Sequence, residues 1–158
     1  MANLAATVAN RGYYIVPHIV RSIEGADSLD ARFTERHYTR VDAKHYETIV
    51  DGMWQGVNVA GTSTRACLRG WDVCGKTGTA QNPRGADHST FISFAPRNNP
   101  RIAIAVYVEH GGFGNEIAVP VASLIEEMYL TGEVSRPELV EYVKNKRINY
   151  SMYDRNRH

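Results

Sequence analysis

Eight consecutive residues, Gly70-Trp-Asp-Val-Cys-Gly75-Lys76-Thr77, have the spacing with which a glycine-rich loop cradles phosphate. That chemistry needs a buried strand before the loop and a helix springing from the Lys-Thr pair, so that backbone donors and helix dipole converge on the anion. Neither flank fits. Thr62–Arg69 has no strand pattern, and Gly78–Gly85 holds two glycines and Pro83, which oppose a helix. Trp71 and Val73 would also crowd a loop interior that wants small residues. Run as an extended strand over residues 73–81, the same segment instead presents the Lys76 ammonium and the Thr77 and Thr79 hydroxyls, with Gly78 between them, along a sheet edge.

The neighbouring elements are legible from their periodicities. An alanine-rich helix opens the chain, with Leu4 and Val8 on its apolar face and Gly12 as its stop. Tyr13–Val20 reads as short extended pieces broken by Pro17, and residues 22–40 as a polar surface loop or insertion. Asp42 is the expected N-cap of a helix to about Val57, with Tyr46, Ile49, Val50, Met53, Trp54 and Val57 on its buried face. Ser89–Ala95 and Arg101–Val108 are β-branched and aromatic, and Pro96-Arg-Asn-Asn-Pro100 between them suits an antiparallel hairpin. Gly111, Gly112 and Gly114 turn the chain into a helix that carries Pro120 early and is expected to bury Val121, Leu124, Ile125, Met128 and Tyr129. On that reading Glu126 and Glu127 are solvated. Residues 136–158 form a polar tail, helical around 137–144. Helices outside a run of three antiparallel strands imply an α+β fold.

Composition excludes several classes. With 18 basic and 17 acidic residues the formal charge is +1, so no strong field favours nucleic acid, and the basic tail Lys144–Arg147 with Arg155 and Arg157 includes Asp154. The longest apolar run is far shorter than the roughly 20 residues of a spanning helix. Cys67 and Cys74 lack further ligands at metal spacing; free thiols are the expected state, with a disulfide left open. No HExxH or GxGxxG occurs, so neither a metal nor another cofactor is expected.

The succession Gly61-Thr-Ser63, Cys74-Gly-Lys-Thr-Gly-Thr-Ala-Gln81, Asp87-His88, Phe91-Ile-Ser-Phe-Ala-Pro96, Asn98-Asn-Pro100, Ile102–Val108 and Glu109-His-Gly-Gly-Phe-Gly114 resembles the class B penicillin-binding proteins of the elongation type, from about Met1 to Pro137. The resemblance implies residues 1–135 of a serine β-lactamase-like transpeptidase fold that cross-links peptidoglycan stem peptides and binds β-lactams. In it Lys76 attracts the D-alanyl-D-alanine or β-lactam carboxylate, Thr77 and Thr79 donate hydroxyls to it, and Gly78 lets the peptide lie along the strand. The Thr79 backbone N–H would be one oxyanion donor. His88 would stand behind the pocket or in its wall, or serve as a hydrogen-bonded structural histidine, and Arg84 would be a solvated charge. A parent anchored in the cytoplasmic membrane, working on its outer face with a SEDS-family glycan polymerase, follows from the same resemblance.

The family's other two signatures are missing. None of the serines at 22, 28, 63, 89, 93, 123, 135 and 151 has lysine three positions on or asparagine two positions on. Acyl transfer needs an activated nucleophile, so the expectation is a C-terminal part of the domain, inactive alone. Its last strand, 101–108, would then expose an open apolar edge and favour self-association. A non-catalytic sensor of β-lactams or peptidoglycan is the alternative reading, and a nucleotide-binding loop a remote one.

Overall fold

The computed structural model describes residues 1–148. Helix α1, Ala2–Ala9, leads through Arg11 and Gly12, both at positive φ, into strand β1, Tyr13–Tyr14. A single 3-10 turn at Ala31–Phe33 precedes strand β2, His37–Tyr38, which pairs antiparallel with β1. The polar stretch 22–40 therefore contains one half of a small ribbon that its aperiodic sequence does not betray. Two-residue strands carry too few side chains for alternation to register.

Helix α2, Ala43–Asn58, follows Asp42, which occupies the N-cap position without a side-chain capping bond. Of the residues expected on its buried face, Tyr46, Val50, Met53 and Val57 are buried, Trp54 is partly buried and Ile49 is exposed. Three antiparallel strands come next in chain order: β3 (Cys74–Ala80), β4 (His88–Ala95) and β5 (Ile102–Val108), with β4 central. Cys74 pairs with Phe94 and Thr79 with Ser89; Ser89 pairs in turn with Val108 on the other side. Thr77 lies in mid-strand, so no helix springs from it and the phosphate-loop geometry is not formed.

Period-two alternation along β4 divides the interior into two layers. Phe91 and Ala95 pack with Val119 and Ala122 of helix α3, Ala118–Thr131. Phe94, with partly buried Ile92, meets Val8, Val50 and Met53 of α1 and α2. The sheet is thus covered on both faces, and β4 is accordingly the most buried strand. At Gly75 any Cβ would overlap the buried Phe91 ring, so the glycine lets β3 close against β4.

Helix α3 differs from its expected orientation. Its buried side is Ala118, Val119, Ala122, Ser123, Glu126, Glu127 and Leu130, whereas Ile125, Met128 and Tyr129 are about half exposed. The face turned to the sheet thus mixes small residues with Val119 and Leu130, and three of the bulky apolar side chains turn outward. The glutamates are consequently buried, Glu126 at 0 % and Glu127 at 5 % exposure. Glu127 is satisfied by Ser135 and by an ion pair with Arg136 at 3.0 Å. Arg136 also donates to Ser123 Oγ at 2.8 Å, and so ties helix α4, Pro137–Asn145, to the body.

No helix among the described residues is long and apolar enough to cross a membrane. Cys67 and Cys74 are both free, the first exposed and the second buried. The basic-tail residues Arg155 and Arg157 lie outside the described residues.

Candidate functional site

Strand β3 is an edge strand: β4 pairs with one side, and no strand pairs with the other among the described residues. Along that open side lies a cleft of about 440 Å³ lined by Thr62, Lys76, Thr77, Gly78, Thr79, Phe113, Gly114 and Asn115. All four residues of the Lys-Thr-Gly-Thr stretch are therefore gathered in one concavity. Lys76 is exposed and its Nζ donates to the Thr77 carbonyl at 2.8 Å. Among the described residues no carboxylate pairs with it. A cation without a counter-ion in a concave site is a standing attraction for an anion.

The opposite wall was not assigned from sequence. Thr62, in the turn after α2, hydrogen-bonds through its hydroxyl to the Thr77 hydroxyl at 2.8 Å. The turn is held against α2 by Ser63 Oγ, which donates to the Gly56 carbonyl at 3.0 Å. Phe113, Gly114 and Asn115 form the third side. Their loop is pinned by Ser89, whose fully buried hydroxyl donates to the Phe113 carbonyl at 3.0 Å and accepts from the Ala118 N–H at 3.1 Å. One serine on β4 thereby fixes both the loop and the start of α3.

Glycines make this close approach possible. A Cβ on Gly114 would sit 2.6 Å from the Gly78 carbonyl oxygen and 2.7 Å from that of Thr90, inside contact distance of two backbone groups. A Cβ on Gly78 would overlap the Thr90 hydroxyl. The sequence signal for these walls was present in Gly61-Thr62-Ser63 and in the glycine cluster 111–114. Neither spacing reveals which strand the loops would lie against.

His88 is not in the cleft wall. It pairs with Ala80, on the sheet face opposite Thr77 and Thr79; its Nδ1 accepts from the His110 N–H at 3.0 Å, and its ring packs on Tyr107 and His110. It holds the end of the hairpin to the chain leaving β5. Arg84 is an exposed residue of the 82–87 loop, which closes through Asn82 and Asp87. No group of metal-ligating side chains occurs among the described residues.

Chemically, an ammonium, two hydroxyls and an open strand edge are groups that can hold an extended anionic chain. Comparison with known proteins identifies the family of the chain. Residues 1–127 match the family model described as penicillin binding protein transpeptidase domain. The peptidoglycan D,D-transpeptidase PbpA of Mycolicibacterium smegmatis is 33 % identical over 131 residues, 76 % of this chain and 26 % of that protein. MrdA of Acinetobacter baumannii, also a peptidoglycan D,D-transpeptidase, is 32 % identical over 145 residues, 77 % of this chain and 21 % of its own length. Among solved structures, Pseudomonas aeruginosa PBP2 in complex with WCK 5153 superposes with TM-score 0.68 at 37 % identity, over 82 % of this chain and 28 % of that one. The ceftriaxone acyl-enzyme of penicillin-binding protein A from Mycobacterium tuberculosis gives TM-score 0.68 at 30 % identity, over 82 % and 31 %. The chain spans about a quarter of the length of these curated relatives.

Proposed function

Because the chain belongs to the penicillin-binding protein transpeptidase domain family, we propose that it forms the carboxylate-binding wall of a peptidoglycan D,D-transpeptidase. The observation that carries this is the Lys76 ammonium, with no carboxylate partner among the described residues, beside Thr77, Gly78 and Thr79 on an open strand edge. A stem peptide ending in D-alanyl-D-alanine would add to β3 as a further strand. Its carboxylate would meet Lys76 and the hydroxyls of Thr77 and Thr79, with Thr62 steering the Thr77 hydroxyl. A β-lactam presents the same anion and would take the same place. The Thr79 N–H would supply one oxyanion donor, a contribution of about 3 kcal/mol to such barriers.

No serine of this sequence has the spacing of the family's nucleophile. The 158-residue chain alone would thus bind without acylating, and the complete enzyme would draw its nucleophile from elsewhere in the domain. Anchoring at the outer face of the cytoplasmic membrane, cooperation with a SEDS-family polymerase, and division into a partial domain over 1–135 and a tail belong to the same reading. His88 acts in it only by holding the hairpin end.

The test is a titration of the chain with acetyl-Lys-D-Ala-D-Ala, followed by amide chemical shifts. Shifts confined to Thr62, Lys76–Thr79 and Asn115, abolished in Lys76→Ala and with the C-terminal amide of the peptide, are expected. Intact mass after exposure to benzylpenicillin should show no adduct. Peptide-induced shifts that ignore Lys76→Ala would refute the assignment.

A further inference from the structure

The cleft along β3 continues past Asn115. Thr62, Phe113 and Asn115 also line a second groove of about 410 Å³ that reaches Arg65, Tyr142 and Lys146. Two cations and one carboxylate, Glu116, face this groove. The Arg65 guanidinium lies 4.5 Å over the Tyr142 ring, and among the described residues no carboxylate pairs with it. Lys146 is 5.6 Å from the same ring and 3.7 Å from Glu116 Oε2, the outer range of an ion pair. Tyr142 is itself fixed, its hydroxyl donating to the Glu116 carbonyl at 2.9 Å.

An arginine stacked on an anchored ring has already lost much of its rotamer freedom, so ordering it around a ligand costs little. The groove keeps a net positive charge, and it is joined to a cleft that holds a further free cation. These features suit an extended ligand with anionic groups at two points along its length. We propose that the Arg65–Tyr142–Lys146 groove is a second anion subsite, taking a carboxylate carried upstream in the same peptide whose C-terminal carboxylate enters the β3 cleft. This rests on the function proposed above for that cleft. Glu116 partly masks Lys146 and is the competitor that an incoming carboxylate displaces.

The test titrates the 158-residue chain with pentapeptides ending in D-Ala-D-Ala and bearing one glutamate at the first or second position, against the same peptides with glutamine. The better-placed glutamate should bind about fivefold more tightly than its glutamine counterpart, the scale of one exposed ion pair. It should also shift the amides of Thr64, Asn115 and Tyr142. Arg65→Gln and Lys146→Gln should each shrink that ratio, whereas Glu116→Gln should widen it; opposite signs from neighbouring substitutions exclude mere unfolding. The C-terminal amides of the glutamate peptides should keep the groove shifts and lose those at Lys76–Thr79. Equal affinity of glutamate and glutamine peptides, or a ratio that survives both Arg65→Gln and Lys146→Gln, overturns the subsite. A glutamyl dipeptide that shifts the groove as strongly as the linked peptide overturns the single-peptide part. Glutamate-dependent groove shifts without any response at Lys76–Thr79 would uphold the subsite and overturn the function assigned to the cleft.

Discussion

Glu126→Gln should stabilise the protein at neutral and alkaline pH and leave it nearly unchanged near pH 4.5. The Glu126 side chain is wholly buried between α3 and the sheet, and neither carboxylate oxygen has a hydrogen-bond partner among the described residues. Ser93 of β4 faces it, equally buried, and its hydroxyl makes no hydrogen bond of acceptable geometry either. Burial pushes the carboxyl up from 4.5 to about 7, with the Ser93 hydroxyl and the Arg136 charge opposing the rise incompletely. Because the folded-state value lies above the unfolded one, the associated stability is fully present below pH 4.5 and is lost as pH rises through about 7. A displacement of that size corresponds to about 3 kcal/mol between pH 4.5 and pH 8. The amide cannot ionise, and it can donate to Ser93 in the same space. Glu127 does not confuse the comparison. Burial alone would raise its carboxyl, but Ser135 and Arg136 outweigh that and hold it below the ordinary value, so it stays ionised across the window. Urea unfolding of both proteins at pH 5, 6, 7 and 8 measures the effect. Stability profiles that run parallel over that range would refute the reasoning.

Gly114→Ala should weaken peptide binding in the β3 cleft by tenfold or more and also lower the unfolding temperature, because its methyl must push the 113–115 loop away from the Gly78 and Thr90 backbone carbonyls; titration well below the unfolding temperature and thermal unfolding separate the two effects. Cys67 should react with a thiol reagent at pH 8 in the native protein while Cys74 does not, since burial pushes the Cys74 thiol up to about 12; one adduct native and two in denaturant is the expected mass result. The outer edge of β5 pairs with no strand among the described residues, and Tyr107 on it is half exposed. Concentration-dependent self-association by light scattering should follow, and Arg or Lys in place of Val108 should reduce it.

The order of the main helices, the three antiparallel strands and the residues of the Lys76–Thr79 stretch were readable from sequence because each rests on local chemistry. Period-two β-branched runs, proline-flanked turns and a lysine-threonine-glycine triplet need no distant partner to be recognised. Even the false phosphate-loop match was decided locally, by a proline and two glycines where a helix would have to begin. The same local logic found most of the buried face of α2, Tyr46, Val50, Met53 and Val57, with Ile49 the exception.

It failed wherever the packing of one element on another mattered more than hydropathy. In α3 the face that meets the body carries Ala118, Val119, Ala122 and Ser123, and Glu126 is carried inside with them while Ile125 and Met128 face out. Periodicity locates an apolar stripe, but the way the helix docks on the sheet decides which stripe is buried. The cleft shows the same division. One strand of it was written in residues 76–79, whereas Thr62 and Phe113–Asn115 came to its walls from 14 positions before Lys76 and from beyond β5, through the Thr62–Thr77 and Ser89–Phe113 hydrogen bonds. Contacts between residues so far apart in the chain exist only once the sheet has formed, so tertiary structure alone made a strand motif into a site.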